Sequence, residues 1–458
     1  MYGKDVQINS KLVKQGDIFV AVPCADLNEH IDEAIRNGAS IVYSEGSDHL
    51  HVVNVDDARL FASFLAKKKY GKQPERCIAV TGTNGKSSVC HFLTQIWRLC
   101  GYKAANLGTL GLFIGNEKCC PDDIVVPNLT TPDTITLHKI MEYLYYNKVN
   151  SFAFEASSHA LIQKRLHNVD LNAAAFTNLA SDHLDYHKTK EAYFKAKSLL
   201  FEEILPSEKP IVISRDYAEI YDKIAKPGRN VISFGLDKKN LIRAENIKEY
   251  SQFITFDLLH KDKKFKEIRI NLLGNFQVMN ILCAAALAYA TNIKIEDIVQ
   301  TLSQIKPLNG RMERVCSVNG GDVYIDFAHT AEGFKKAISC FKKVCRGRLI
   351  CVFGCGGDRD QSKRPIMGKI AASIADVAVV TDDNPRTEDP AKIRAEIIKE
   401  CPKAIEIANR ANAIKYAMDI IQPGDLVAIM GKGHEEYQIY SDKTTRFNDK
   451  EEVLKLAE

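Results

Sequence analysis

The residues that most constrain the fold run from Cys77 to Gly101. A short apolar run, Cys77 to Val80, enters a Gly-rich turn; beyond it Val89, Phe92, Leu93, Ile96, Trp97 and Cys100 recur at three- and four-residue steps. This succession reads as strand, loop and amphipathic helix. Gly82 and Gly85 let the backbone approach an anion and aim N–H groups at it, while the helix start near Ser87 presents the positive end of its dipole. Lys86 would neutralise phosphate charge, and the Ser87 hydroxyl could ligate Mg²⁺. The strict P-loop pattern places a further Gly where this chain has Val80. The strand, both glycines, the Lys-Ser pair and the helix still agree on a nucleotide-phosphate cradle.

At 458 residues, 45% apolar and 26% charged, the chain can bury more than one core, and two to four domains are expected. Its 62 basic and 58 acidic residues leave a net charge of +4, too balanced for nucleic-acid binding by bulk electrostatics. The 13 cysteines, spread from Cys24 to Cys401, show no zinc-type paired spacing. With no signal peptide and no apolar run near about 18 residues, they read as small buried hydrophobes in a reducing compartment. A cytoplasmic protein with neither nucleic-acid nor membrane partners is expected.

Residues 1–75 carry short strand-like runs at 17–22, 40–44 and 51–55, with helical patterns at 31–37 and 58–69. The basic stretch from Lys67 to Pro74 breaks the pattern and marks a first boundary. Over 76–307, strand-like runs at 151–155, 171–177, 211–214 and 231–234 alternate with helical patterns, as in a parallel sheet covered on both faces. Runs at 253–259 and 268–272 suggest an antiparallel appendage, and two helices follow over 278–289 and 295–305. Lys306-Pro307-Leu308-Asn309-Gly310 ends the second and reads as a hinge. Residues 308–458 repeat the α/β theme, with compact apolar strands at 323–327, 349–353, 377–381 and 426–430.

Glu155 closes the apolar run from Ser151 to Phe154, at the carboxyl end of a strand, where an acid can hold Mg²⁺ or simply cap a loop. Ser157, Ser158 and His159 follow it and leave room for a ligand. The run from Thr177 to His187 concentrates polar groups, and His183 could ligate a cation through neutral imidazole or serve as a structural residue. Taken alone, Lys197 reads as a solvated helix residue.

These residues compose a larger pattern. TGTNGKS, Thr130-Thr131-Pro132, the stretch from Glu155 to Leu161, NLxSDHLDYH, the stretch from Tyr193 to Lys197, and Gly310-Arg311-Met312-Glu313 occur in one order along the chain. Together they closely resemble the Mur ligases of peptidoglycan synthesis over nearly its whole length. The resemblance implies three domains: a small α/β N-terminal domain binding the UDP substrate (1–75), a central P-loop-type parallel-sheet ATPase domain (76–307), and a Rossmann-like α/β C-terminal domain binding an amino acid (308–458). It assigns Gly82, Thr83, Asn84, Gly85, Lys86, Ser87 and Ser88 to ATP, completed by Asn280, Arg311, Asp326 and His329. It places Ser87, Glu155, His183 and Lys197 around Mg²⁺, with Lys86, Glu155, His183 and Lys197 as the catalytic set. It also implies that Lys197 is carbamylated, because an ammonium repels Mg²⁺ whereas its CO₂ adduct is an anion with oxygen ligands. Ser10, Thr130, Thr131, Ser157, Gln163 and Arg165 would contact UDP-N-acetylmuramoyl-L-alanyl-D-glutamate.

Three polar loops in the last domain each follow a strand: Gly354 to Asp360, Asp382 to Arg386, and Gly431 to Glu435. Such loops gather at one sheet edge. Within the family, Asp383-Asn384-Pro385-Arg386 is similar to the form in diaminopimelate-adding members, and the Arg386 guanidinium suits a carboxylate bidentately. Arg359, Asp383, Asn384, Pro385, Arg386, Gly431 and Glu435 would hold meso-diaminopimelate. The implied activity is ATP-dependent amide-bond formation by a monomer, through an acyl phosphate. A lysine-adding or folate-polyglutamate-type ligase, and a nucleotide-binding regulator without catalysis, are the rival readings.

Overall fold

The computed structural model describes residues 5–121, 123–127, 129–180, 184–250 and 252–457. It divides into two compact units, Met1–Asn246 with Phe256–Ile268 and Val278–Ile305, and Ile247–Thr255 with Arg269–Gln277 and Lys306–Glu458.

The first unit begins with a small α/β domain. Strands β1 (Val6–Gln7), β2 (Ile18–Ala21), β3 (Ile41–Ser44) and β4 (Val52–Asn54) form one sheet in that order, all pairs parallel. Helix α1 (Leu27–Arg36) buries Ile31 and Ala34 with Phe19 and Val42 on one side. Helix α2 (Ala58–Lys69) buries Ala58, Ala62 and Ala66 with Val6 and Val20 on the other. The small residues of α2 sit at four-residue steps, which brings one face of the helix close to the sheet. A second flank carries the ties to the rest of the unit: Asp57, which caps α2 through Leu60 N, pairs with Lys164, the buried Ser63 donates to His167 O, and Lys67 pairs with Asp170.

The central sheet grows from apolar runs too continuous for a half-exposed strand. Its core comprises β5 (Arg76–Thr81), followed by helix α3 (Lys86–Leu99), then β6 (Ala104–Gly108), β7 (Gly111–Ile114) and β8 (Glu117–Cys119). Helix α4 (Thr134–Tyr146) leads to β9 (Ser151–Glu155), helix α5 (Ser158–Ile162) and β10 (Ala173–Phe176). Helices α6 (Leu184–His187) and α7 (Lys190–Leu199) precede β11 (Ile211–Ser214), α8 (Ala218–Ile224) and β12 (Val231–Gly235). Strands β13 (Ile242–Glu249), β14 (Ile254–His260) and β15 (Lys263–Ile270) complete an eleven-stranded order, β15-β14-β13-β12-β11-β10-β5-β9-β6-β7-β8. The runs expected as a separate appendage therefore prolong the edge of this same sheet, with β13 pairing parallel to β12. Helices α9 (Phe276–Ala290) and α10 (Ile295–Leu302) follow. Strand β5 lies between β9 and β10 and runs parallel to both, so the segments after Thr81, Glu155 and Phe176 emerge side by side. That is where a parallel sheet places its ligands.

The second unit holds a six-stranded sheet, ordered β16-β17-β21-β18-β19-β20. Its strands are β16 (Glu313–Val318), β17 (Gly321–Asp326), β18 (Leu349–Phe353), β19 (Val377–Val380), β20 (Ile405–Glu406) and β21 (Leu426–Met430), and all pairs but β16–β17 are parallel. Helices α11 (Ala331–Val344), α12 (Lys363–Ile374) and α13 (Pro390–Ile398) bury Phe334, Ile338, Phe341, Met367 and Ile393 on one face. Helix α14 (Arg410–Asp419) buries Ala413, Ile414 and Met418 on the other, joined by Val453 of α15 (Asp449–Ala457). A fully buried Arg410–Asp449 pair (Nε to Oδ1 2.7 Å, Nη2 to Oδ2 2.8 Å) ties α15 to α14. The hairpin β22 (Tyr437–Ile439) and β23 (Thr444–Arg446) stands apart from the sheet.

Asp5, just before β1, accepts from Lys139 Nζ of α4 at 2.8 Å and from the Tyr70 hydroxyl. Burial alone would push its carboxyl up, but the hydrogen bonds from Lys139, Tyr70 and Val6 N reverse this and hold it below the usual carboxylate range. A depressed carboxyl stabilises the folded state above its unfolded pKa, and the contribution is lost as pH falls through the folded value. Asp5→Asn should therefore cost about 1 kcal/mol in urea unfolding at neutral pH. That difference from the parent protein should shrink as pH drops below the ordinary carboxylate value and vanish below the depressed folded one; a gap that persists below both would exclude the ionic origin.

Candidate active site

The turn after β5 shows why its glycines are needed. Gly85 occupies the N-cap of α3 at φ +86°, and a Cβ there would overlap Asn280 Oδ1 of α9. It gives α3 no side-chain cap, unlike Asp133, Ser157 and Thr189 at the starts of α4, α5 and α7. The first N–H groups of α3 are thus left for an anion. Around them the loop is held by Asn178 from the segment after β10: Thr83 N donates to Asn178 O at 2.8 Å, Asn84 N to Asn178 Oδ1 at 3.1 Å, and Asn178 Nδ2 to Asn84 O at 2.9 Å. Thr177 Oγ1 donates to the same Asn84 carbonyl at 2.7 Å.

Two ammonium groups converge on one carbonyl. Lys86 Nζ lies 3.0 Å from Gly82 O and 2.8 Å from Thr83 O, while Lys197 Nζ lies 2.9 Å from Gly82 O and 4.3 Å from the Tyr193 ring centre. Lys197 is 1% exposed, so the expectation of a solvated helix residue is corrected: α7 turns this face into the core beside the phosphate loop. Glu155, 2% exposed, sits at the end of β9. Its Oε1 accepts from Ser87 Oγ at 2.7 Å and from Thr109 N at 3.0 Å. A hydroxyl and a carboxylate in contact form a hard-oxygen donor pair of the kind that suits Mg²⁺. His183 lies outside the described residues, and among the described residues no group of three or more His, Cys, Asp or Glu side chains could hold a metal.

Beyond Glu155 a second polar cluster forms. Thr131 Oγ1 donates to Glu155 O at 2.7 Å and accepts from Ser157 N at 3.1 Å; Thr130 and Thr109 hydroxyls meet at 3.1 Å. Arg165 Nη1 donates to Thr131 O at 2.6 Å, and its Nε and Nη2 both reach Gln163 Oε1. Thr130, Thr131, Ser157, Gln163 and Arg165 thus share one patch. Ser10 is elsewhere: it is buried in the N-terminal domain, donating to Glu33 Oε2 at 2.5 Å with His30 Nδ1 at 3.1 Å.

In the second unit, Arg311 places its guanidinium 4.3 Å from the Phe327 ring centre, and the His329 and His434 rings pack on the same phenyl at 4.6 and 4.8 Å. Asp326 accepts from Met312 N and Ala328 N at 2.8 Å each. Burial pushes its carboxyl up, against the pull of Arg311 and these two amides. The loops after β18 and β19 lie backbone against backbone: Gly357 N donates to Asn384 O at 2.9 Å, and a Cβ at Gly357 would overlap Pro385 O. Arg386, at φ +53°, donates from Nη1 to Gly357 O at 2.8 Å. Its Nε and Nη2 make no hydrogen bond among the described residues, which leaves one edge of the fork open. Asn384 Nδ2 donates to Glu435 Oε2 at 2.7 Å, and Asp383 faces Gly431, whose added Cβ would stand 2.7 Å from Asp383 Oδ2. Arg359 is exposed.

This geometry agrees with what the chain is similar to. Residues 80–288 match the Mur ligase middle domain, and residues 310–433 match the Mur ligase, glutamate ligase domain. A UDP-N-acetylmuramoyl-L-alanyl-D-glutamate--2,6-diaminopimelate ligase of Rhizobium meliloti (strain 1021) is 40% identical over 460 residues, covering 98% of this chain and 93% of that protein. The chain belongs to the Mur ligase family. A solved structure of a UDP-N-acetylmuramoyl-L-alanyl-D-glutamate--2,6-diaminopimelate ligase is similar at TM-score 0.72 and 30% identity, over 99% of this chain and 94% of that one. A MurF ligase of Thermotoga maritima in complex with ADP shares the fold at TM-score 0.65 and 18% identity, over 99% and 97% of the two chains.

Within this Mur ligase the motif residues are the visible part of each cluster, and their supports are not. Thr109 carries no motif signal, yet its amide orients Glu155 and its hydroxyl reaches Thr130. Asn178 lies in a motif but pins the phosphate loop with both ends of its amide. Lys432 sits unassigned inside Gly431 to Glu435, fully buried beneath Asn384 and Glu435. A test of the phosphate loop follows from Gly85. Gly85→Ala combines a left-handed backbone, costing about 1–2 kcal/mol, with the Asn280 overlap. ADP affinity by calorimetry should fall by at least about tenfold. Unchanged affinity would mean that the turn does not cradle phosphate.

Proposed function

We propose that this Mur ligase joins meso-diaminopimelate to UDP-N-acetylmuramoyl-L-alanyl-D-glutamate at the expense of ATP, in peptidoglycan precursor synthesis. The observation that carries the amino-acid assignment is the open Nε–Nη2 edge of Arg386, held beside Asn384 and Glu435. A distal carboxylate fits that edge bidentately, and a distal ammonium fits Glu435. Lysine offers the ammonium alone, so it would leave the guanidinium without its partner. Residues 1–75, 76–307 and 308–458 would serve the UDP substrate, ATP and the amino acid, in a cytoplasmic monomer.

The N–H groups at Gly85 to Ser88 and the Lys86 ammonium would hold the nucleotide's phosphates. Thr130, Thr131, Ser157, Gln163 and Arg165 would bind the UDP-muramoyl peptide, with Ser10 contributing from the N-terminal domain. The D-glutamate side-chain carboxylate attacks the γ-phosphorus, ADP leaves, and an acyl phosphate forms. The amine of meso-diaminopimelate then adds to the acyl carbon, loses its proton, and expels phosphate as the amide closes. Positioning and charge stabilisation supply most of the rate. Asn280, Arg311, Asp326 and His329 complete the nucleotide's contacts, and Arg359, Asp383, Pro385 and Gly431 those of the amino acid.

Ser87, Glu155 and His183 are the residues that would hold Mg²⁺. Bound there, the ion would neutralise developing phosphate charge. Lys197 fits as its carbamate. With two ammonium groups on the Gly82 carbonyl, like charges face each other at short range, and CO₂ capture replaces that repulsion with attraction to Lys86.

Supplied with ATP, Mg²⁺ and the UDP-muramoyl dipeptide, the protein should release phosphate with meso-diaminopimelate and far less with lysine. Equal use of lysine would end the specificity claim, and no turnover with any amino acid would favour the nucleotide-binding regulator without catalysis. Arg386→Ala should raise the KM for meso-diaminopimelate by about tenfold or more and leave the KM for ATP in place. For Lys197, native mass spectrometry at alkaline pH should find an adduct with the mass of CO₂ that Lys197→Ala lacks.

A further inference from the structure

The ammonium of Lys432 is 0% exposed and has three acceptors, two from the residues that follow it and one from the loop after β19. Its Nζ lies 3.0 Å from Asn384 Oδ1, 2.9 Å from Glu435 Oε2 and 2.8 Å from the Tyr437 carbonyl. An ammonium carries three protons, so each acceptor takes one and the group is saturated. A buried cation persists only when paired and hydrogen-bonded in this way.

The consequence lies in what these bonds do to the two partners. Asn384 Oδ1 accepts from Lys432 and also from Ile439 N at 3.0 Å, so the amide cannot turn over. Its Nδ2 is thereby aimed at Glu435 Oε2, at 2.7 Å. Oε2 then takes two donors, one from Asn384 and one from Lys432. Oε1 makes no hydrogen bond among the described residues, and Glu435 keeps a third of its side chain exposed. The result is a carboxylate locked by one oxygen and presented by the other.

We propose that Lys432 is the positioning residue of the amino-acid site: it fixes the Asn384 amide and clamps Glu435 Oε2, so that Oε1 stands ready for the substrate's ammonium. This rests on the reading that Asn384 and Glu435 bind the incoming amino acid. Lys432 itself touches no substrate, since all three protons are committed within the protein. Preorganisation of this kind lowers the entropy that binding must supply, so its loss falls on amino-acid affinity.

The experiment is a kinetic cycle with Lys432→Met, Glu435→Gln and the double variant, each assayed for meso-diaminopimelate and for ATP. Lys432→Met should raise the KM for meso-diaminopimelate about 10- to 100-fold, as expected for loss of a charge-assisted contact, with the KM for ATP changed less than about twofold. In the Lys432→Met background, Glu435→Gln should add little, because the carboxylate is no longer held. Additive effects of the two changes, or equal losses for ATP and amino acid, would overturn the positioning role and leave a structural one. If Glu435→Gln and Arg386→Ala both leave the amino-acid KM unaltered, the site reading itself fails. If they raise it and Lys432→Met does not, only this proposal fails. A probe that needs no variant to fold is the ¹⁵N-labelled lysine ammonium spectrum of the intact protein. It should show a slowly exchanging resonance that shifts on adding meso-diaminopimelate and not on adding ADP; a resonance indifferent to the amino acid would overturn the proposal.

Discussion

The Glu155 carboxylate is the interaction on which the first unit's site depends. It is buried at the end of β9, and a buried charge is tolerated only when its oxygens are hydrogen-bonded. Those bonds come from Ser87 on α3 and Thr109 after β6, while the backbone carbonyl of the same residue takes Thr131. One residue therefore ties together the turn after β5, the β6–β7 turn and the polar cluster around Thr131. The central position of β5, between β9 and β10, makes that convergence unavoidable. The same Ser87–Glu155 contact that satisfies the buried charge also forms a hard-oxygen pair of the kind that suits Mg²⁺.

The second unit buries charges of its own beside the polar loops. Cations are among those charges: Lys432 under the loops after β19 and β21, and Arg410 bound to Asp449 and to the Met430 carbonyl just before Gly431. Arg364 belongs with them, fully buried and holding both oxygens of Glu388 at 2.9 Å, while Glu388 takes the Asp358 amide. Polar loops above a parallel sheet have no ladder to order them. Buried cations with several donors each can cross-link such loops, because one side chain can reach more than one acceptor at once. The side chains of those loops then inherit fixed orientations, as Asn384 and Glu435 do.

Much of this was legible before any coordinates. The strand-turn-helix at Cys77–Gly101, the β/α alternation and the strand-end placement of Glu155 are local patterns, and β5, α3 and β9 appear where periodicity put them. Extents were less legible: residues 253–259 and 268–272 looked like an appendage because alternation reports a strand and says nothing about its neighbours. Lys197 was misread from its residue type alone, since lysine is rarely buried and nothing adjacent in sequence signals that α7 packs beside Gly82. Thr109 was invisible because its contribution to Glu155 is a backbone amide, which any residue carries.

What the sequence determined by itself is the set of local choices: where strands and helices form, and which turns need glycine because a left-handed backbone excludes a Cβ. It also carried family membership, because the motifs are contiguous strings. Only the tertiary structure decided which charges are buried and with what partners. Lys432 meets Asn384, Asp57 meets Lys164 and Asp5 meets Lys139 across intervals that no local pattern spans. Burial and pairing are properties of packed surfaces, and a charge acquires its meaning only when the fold has removed its water.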